Sequence, residues 1–163
     1  MNILGIDVGI KNLGLCIINI KDNKYNIICI KTDISKLNYS ILDNLYNIYK
    51  LDKMDIVLIE HQFKGRLNIQ YYGFLLCFFQ SKQKKIISIK PPTYNAGINN
   101  NSYYNRKKYS VNILKSIIEK CDNVKYINKY KKIDDIADAL CLIIKYLKIN
   151  INENQYIQSI QIL

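Results

Sequence analysis

Acidic residues at three separated places carry the chemistry open to this chain. Asp7 lies inside "ILGIDVGIKNLGLCII" (3–18), a run apolar enough to be a buried strand. Glu60 closes "DIVLIE" (55–60), and "IDDIADAL" (133–140) sets Asp134, Asp135 and Asp138 at the start of a helical pattern. An ionised carboxylate kept from water is costly unless something compensates it. Asp135 and Asp138, three apart, stack on one helix face, opposite the apolar stripe of Ile136, Leu140, Ile144 and Leu147. Carboxylates that converge raise one another's pKa unless a cation sits among them. Hard oxygen ligands favour Mg²⁺ or Mn²⁺ over zinc. Two such ions roughly 4 Å apart activate water and stabilise the leaving oxygen of a phosphodiester.

Each acid alone also has a plainer account. Asp134 can serve as an N-cap, and acids in a first helical turn complement the macrodipole. Glu60 can be a solvated strand end, and Asp7 can form a buried ion pair with a lysine. Only convergence separates these accounts from a metal site. Zinc is not expected: His61 is the single histidine, and the five cysteines contain no C-x-x-C pair. Their odd number and apolar neighbours suit reduced packing residues rather than a disulfide framework.

The elements that must position the acids follow from the hydrophobic patterning. Residues 2–8 read as a strand with Ile3, Gly5 and Asp7 on one side and Leu4, Ile6 and Val8 on the other. Strands at 13–20 and 24–32, joined by Lys21-Asp22-Asn23, extend it as an antiparallel meander. Ser35 is a candidate cap for a helix to about residue 50, followed by a strand at 55–60, a helix at 66–82 and a strand at 84–90. The Asn- and Tyr-rich segment 91–110 reads as a long loop, and loops of that length are often functional. Helices are expected at 107–120 and 133–148, and a small amphipathic helix through Tyr156, Ile157, Ile160 and Leu163. The pattern is one α/β domain over 1–163 with a mixed five-stranded sheet, its core at about 2–148 and a tail at 149–163.

Net charge is +11, which points to a polyanionic partner. Only two of the 24 basic residues are arginine, and the abundant Ile, Asn, Lys and Tyr share AT-rich codons, so codon bias accounts for part of the lysine excess. No apolar stretch approaches the roughly 20 residues of a membrane span, and no signal-like N-terminus precedes the first strand, so a non-secreted protein is expected. Lys64, Arg66, Arg106, Lys107, Lys131 and Lys132 flank the acids in sequence and are candidate phosphate contacts, with Asn12 beside them. Tyr94, Tyr103 and Tyr104 are candidates for stacking on unpaired bases.

Three motifs in order, "GIDVGIKNLG" (5–14), "IEHQ" (59–62) and "DDIADAL" (134–140), resemble the RuvC-like Holliday-junction resolvases. The G-I-K-N and E-x-Q details look closest to the poxvirus resolvases and their fungal mitochondrial relatives, and the composition suits an avian poxvirus. The resemblance covers about residues 3–145 and implies an RNase H-like fold: a three-strand antiparallel meander plus parallel strands, flanked by helices. It implies Mg²⁺ as cofactor, with Mn²⁺ able to substitute and two ions per site, held by Asp7, Glu60, Asp135 and Asp138, with Asp134 as a further possibility. Lys108 would stand beside the scissile phosphate. The implied activity is structure-selective cleavage of four-way DNA junctions by paired symmetric nicks, processing viral intermediates such as concatemers in the host cytoplasm. Helix 66–82, with Tyr71, Tyr72, Phe74, Leu75, Leu76, Phe78 and Phe79, would form a homodimer. An RNase H-like nuclease on RNA or a hybrid, and a non-catalytic branched-DNA-binding protein, are the alternatives.

Overall fold

The first strand, β1 (Asn2–Val8), alternates as its sequence requires: Leu4, Ile6 and Val8 enter one core, and Ile3 the other. It pairs antiparallel with β2 (Asn12–Lys21), which pairs antiparallel with β3 (Lys24–Asp33). Asp22 and Asn23 make the connecting turn with φ of 49° and 58°. Two central residues at positive φ match the twist of a tight hairpin, and Asp and Asn tolerate that conformation. On the other side of β1, β4 (Ile56–Glu60) and then β5 (Lys85–Ile89) add in parallel.

The computed structural model describes residues 1–33, 36–90, 103–121, 123–126, 133–148 and 157–163. Two strands beyond the expected five occur among them. β6 (Val124–Tyr126) lies between the helices expected at 107–120 and 133–148, and β7 (Ile157–Ile162) replaces the small helix expected at the chain end. The sheet order is β5-β4-β1-β2-β3-β7-β6, with β7 parallel to both β3 and β6. The correction has a simple cause. The spacing of Tyr156, Ile157, Ile160 and Leu163 suits a helix, but Ile160 and Ile162 also alternate with polar neighbours, and both are buried. The otherwise unpaired edge of β3 supplies backbone partners that make the strand period win.

Helices cover both faces. α1 (Tyr39–Ile48) and α2 (Arg66–Ser81) bury Leu42, Leu45, Tyr46, Leu75, Phe78 and Phe79 against one. α1 is capped by Asn38, whose side chain accepts from the Ile41 amide; Ser35, the expected cap, lies outside the described residues. α3 (Tyr103–Lys120) and α4 (Asp134–Leu147) cover the opposite face through Leu114, Ile117, Ile136, Leu140 and Ile143. α3 begins inside the segment read as loop; the remainder of that segment, with Tyr94, lies outside the described residues. α4 approaches the sheet closely because two strand residues lack side chains. A Cβ at Gly5 would strike the Ala139 carbonyl oxygen, and one at Gly14 would strike the Asp135 carbonyl group. Among the described residues no helix is long and apolar enough to cross a membrane, and none of the five cysteines is in a disulfide.

Candidate metal and nucleic-acid site

β1 and β4 run in parallel, so their carboxyl ends open on the same rim of the sheet. Asp7 and Glu60 each lie one step beyond the paired residues Ile6 and Ile59, so they are neighbours across the two strands. Ligands in sheets with parallel strands gather outside such strand ends. α4 starts beside them because Gly5 and Gly14 let it lie low on β1 and β2. Its first turn thereby brings Asp134, Asp135 and Asp138 to the same place. The acids line or border a cleft of about 760 Å³ whose wall includes Asp7, Glu60, Asp135 and Asp138.

A lysine from α3 stands among them. The Lys107 ammonium is 3.8 Å from Asp7 Oδ2, 3.6 Å from Asp134 Oδ2 and 3.8 Å from Asp135 Oδ1. It also contacts Asp138 Oδ2. Ser110, one turn further along α3 and buried, donates to Asp138 Oδ1 at 2.5 Å. On the opposite side, Gln62 donates to Glu60 Oε2 at 2.7 Å. The Asp7 carboxyl is pushed well above the ordinary carboxylate range, first by burial and then by Glu60, with Lys107 only partly offsetting them. Burial also raises Asp138, against the opposing pull of Lys107 and the Ser110 hydroxyl.

This environment answers what a metal would require. The donors are all hard oxygens, and one ammonium already serves as shared cation for four carboxylates. Among the described residues no three acids form a ready-made metal cage; the negative groups are instead arranged around Lys107. A divalent cation supplies more charge to the same oxygens than one ammonium can, so the residue set fits hard cations such as Mg²⁺.

A family model described as Poxvirus A22 protein matches residues 1–152. The chain belongs to this family. It is 34% identical over 157 residues to a Holliday junction resolvase of fowlpox virus, covering 91% of this chain and 93% of that one. The crystal structure of a fowlpox virus resolvase with substrate Holliday junction DNA superposes with a TM-score of 0.70 at 29% identity, covering 91% and 97% of the two chains. T. thermophilus RuvC in complex with a Holliday junction substrate shares the fold at TM-score 0.53 and 15% identity, over 87% and 90%.

In this A22-family chain the expected phosphate contacts divide. Asn12, Lys64, Arg106 and Lys107 line the cleft. Arg66 is exposed at the start of α2, and Lys131 and Lys132 lie outside the described residues. Lys108 is exposed, whereas Lys107 is the lysine inside the acid cluster. Asn12 donates to Asp135 Oδ2 at 3.3 Å. Asp134 is the first residue of α4 rather than its cap, a position held by Ile133.

Three features escaped the sequence reading. Lys31, on β3, lies 3.6 Å from Asp135 Oδ2 with its side chain only 10% exposed. The sequence signal was weak: Lys31 closes the apolar run Ile27–Ile30, with polar Thr32 and Asp33 after it, unlike Asp7, which is flanked by apolar residues on both sides. Ser110 carried no signal of its own, being three residues past Lys107 in a polar segment. Phe63 is exposed at the cleft mouth and stacks on His61 at a centroid distance of 4.2 Å, while His61 stacks on Tyr72 at 5.1 Å.

Proposed function

We propose that this chain is a divalent-metal-dependent endodeoxyribonuclease that resolves four-way DNA junctions by paired symmetric nicks. The observation that carries the reading is the meeting of Asp7, Glu60, Asp135 and Asp138, drawn from two parallel strands and one helix, at a single cleft. The fowlpox relatives are named for Holliday junctions and one is described with that DNA bound, which supports carrying the substrate to this chain. The net charge of +11 suits a polyanionic duplex, and affinity would fall steeply with salt as counterions are released. By the same kinship the substrate would be viral recombination intermediates, including concatemers, met in the host cytoplasm.

Asp7, Glu60, Asp135 and Asp138, with Asp134 adjoining, would hold Mg²⁺, or Mn²⁺ in its place; five carboxylates are donors enough for a pair of ions. Bound there, the ions would supply Lewis-acid stabilisation of the charge that grows on the phosphodiester oxygens. Ser110 fixes the orientation of Asp138, and Gln62 fixes that of Glu60. Lys107, at the wall of the cleft, is assigned the place beside the scissile phosphate that the resemblance gave to Lys108. Its ammonium contacts the acid that ends the row, Asp138, and can add positive charge on the substrate side. Arg106 and Lys64 on the same cleft would hold flanking phosphates.

Two opposed strands of a four-way junction are most simply cut by a twofold dimer. α2 supports that arrangement: Leu67 and Ile69 are 45% and 46% exposed, and Tyr71, Tyr72 and Leu76 are only partly covered. A Cβ at Gly73 would meet no atom within 4 Å, leaving room for a second helix to approach.

Strand-mapped digestion of a synthetic four-way junction tests the reading. With Mg²⁺, nicks are expected at symmetric positions on two opposed strands. With chelator, or with Asp7→Asn, binding is expected without cutting. Metal-independent nicking, nicking by the purified variant, or equal cleavage of plain duplex or an RNA–DNA hybrid would overturn it.

A further inference from the structure

The two oxygens of Asp135 are used differently. Oδ1 faces Lys107 at 3.8 Å, toward the other acids. Oδ2 has different partners, accepting from Asn12 Nδ2 at 3.3 Å and lying 3.6 Å from Lys31 Nζ. The sequence places Lys31 there for a reason visible in the register. Lys31 on β3 is directly opposite Gly14 on β2, and opposed residues share one face of a sheet. Gly14 leaves that face bare, the backbone of Asp135 occupies the space a Cβ would need, and Lys31 reaches the start of α4 across the gap. With 10% of its side chain exposed, such an ammonium is held in place only where an anion compensates it.

We propose that Lys31 is a positioning residue for Asp135. Together with Asn12 it fixes Oδ2 and so presents Oδ1 to the cation site. This role rests on the reading of the acids as metal ligands. It also makes a prediction of unusual sign. By charge alone Lys31 repels a divalent ion, so deleting its charge should tighten metal binding. If Lys31 acts by orienting the carboxylate, deleting it weakens binding instead. Outer-shell partners of metal ligands commonly change affinity by about 10–100-fold.

The test is Mn²⁺ titration of the full chain without DNA, followed by loss of the free-ion electron paramagnetic resonance signal. Lys31→Met keeps the length of the apolar stem, and it is expected to weaken Mn²⁺ binding about tenfold, at the low end of the outer-shell range. Lys31→Arg, which keeps a cation beside Oδ2, is expected to recover most of that loss. Circular dichroism reports whether Lys31→Met folds. If it does not, Asn12→Ala, which removes the hydrogen-bond donor to Oδ2, is expected to weaken binding about threefold, a part of the same outer-shell effect. A wild-type chain that binds Mn²⁺ beside a folded Lys31→Met that binds it equally or more tightly would overturn the Lys31 assignment alone. For an unfolded Lys31→Met, unchanged or tighter binding by Asn12→Ala would do the same. A wild-type chain with no saturable Mn²⁺ binding would overturn the metal reading, and the role of Lys31 with it.

Discussion

Asp7 sits on a strand whose neighbours are buried, and burial with Glu60 beside it lifts its carboxyl well above the ordinary range. The folded state therefore prefers the neutral acid. That preference favours folding below the usual carboxylate pKa and is lost as pH rises through the raised value. At pH 7 without divalent ions, Asp7→Asn is thus expected to stabilise the fold, read as a higher midpoint of urea unfolding. The gain should fade as pH drops through the ordinary Asp range and vanish below about pH 3, where the acid is protonated in both states. Added Mg²⁺ should raise the Tm of the wild type by mass action and leave the variant nearly unchanged. A variant less stable than wild type at pH 7 in chelator would show that Lys107 compensates Asp7 fully, as an ordinary buried ion pair. The site was legible at this scale because a charge in an apolar run cannot be accidental. Lys31 gives no comparable signal, because it ends an apolar run next to polar residues in a chain rich in lysine.

At the scale of elements, periodicity located most of the framework and failed where neighbours decide. The meander, the parallel strands and the two helices carrying acids and core were readable because their apolar residues follow one period each. α3 starts early, at Tyr103, because its first turns are polar and resemble a loop, although its later residues Leu114 and Ile117 pack on the sheet. β7 depends on the free edge of β3, which no local pattern reveals. Lys107 and Lys108 differ by the 100° that separates successive residues on a helix; only the packing angle of α3 decides which one enters the cleft. α2 carries the element-scale prediction. Leu67→Glu with Ile69→Glu, both on its exposed part, should convert a dimer to a monomer in sedimentation velocity at micromolar concentration. The wild-type fold should persist, because the buried residues of α2 are Leu75, Phe78 and Phe79. Wild type that sediments as a monomer would remove the basis for symmetric nicking.

For the molecule as a whole, the sheet serves to bring three distant acidic segments to one rim. The parallel pair β1–β4 aligns Asp7 with Glu60, and two glycines seat α4 so that its first turn completes the set. In a strongly positive chain, this concentrated negative centre is where the proposed cations would bridge the protein to a polyanion. The most direct measurement is anomalous diffraction from a crystal of the full chain soaked in manganese. The account predicts anomalous density among the carboxyl oxygens of Asp7, Glu60, Asp135 and Asp138, with the Lys107 ammonium displaced from its present place. Anomalous density elsewhere, with Asp7, Asp135 and Asp138 still gathered on Lys107, would contradict it.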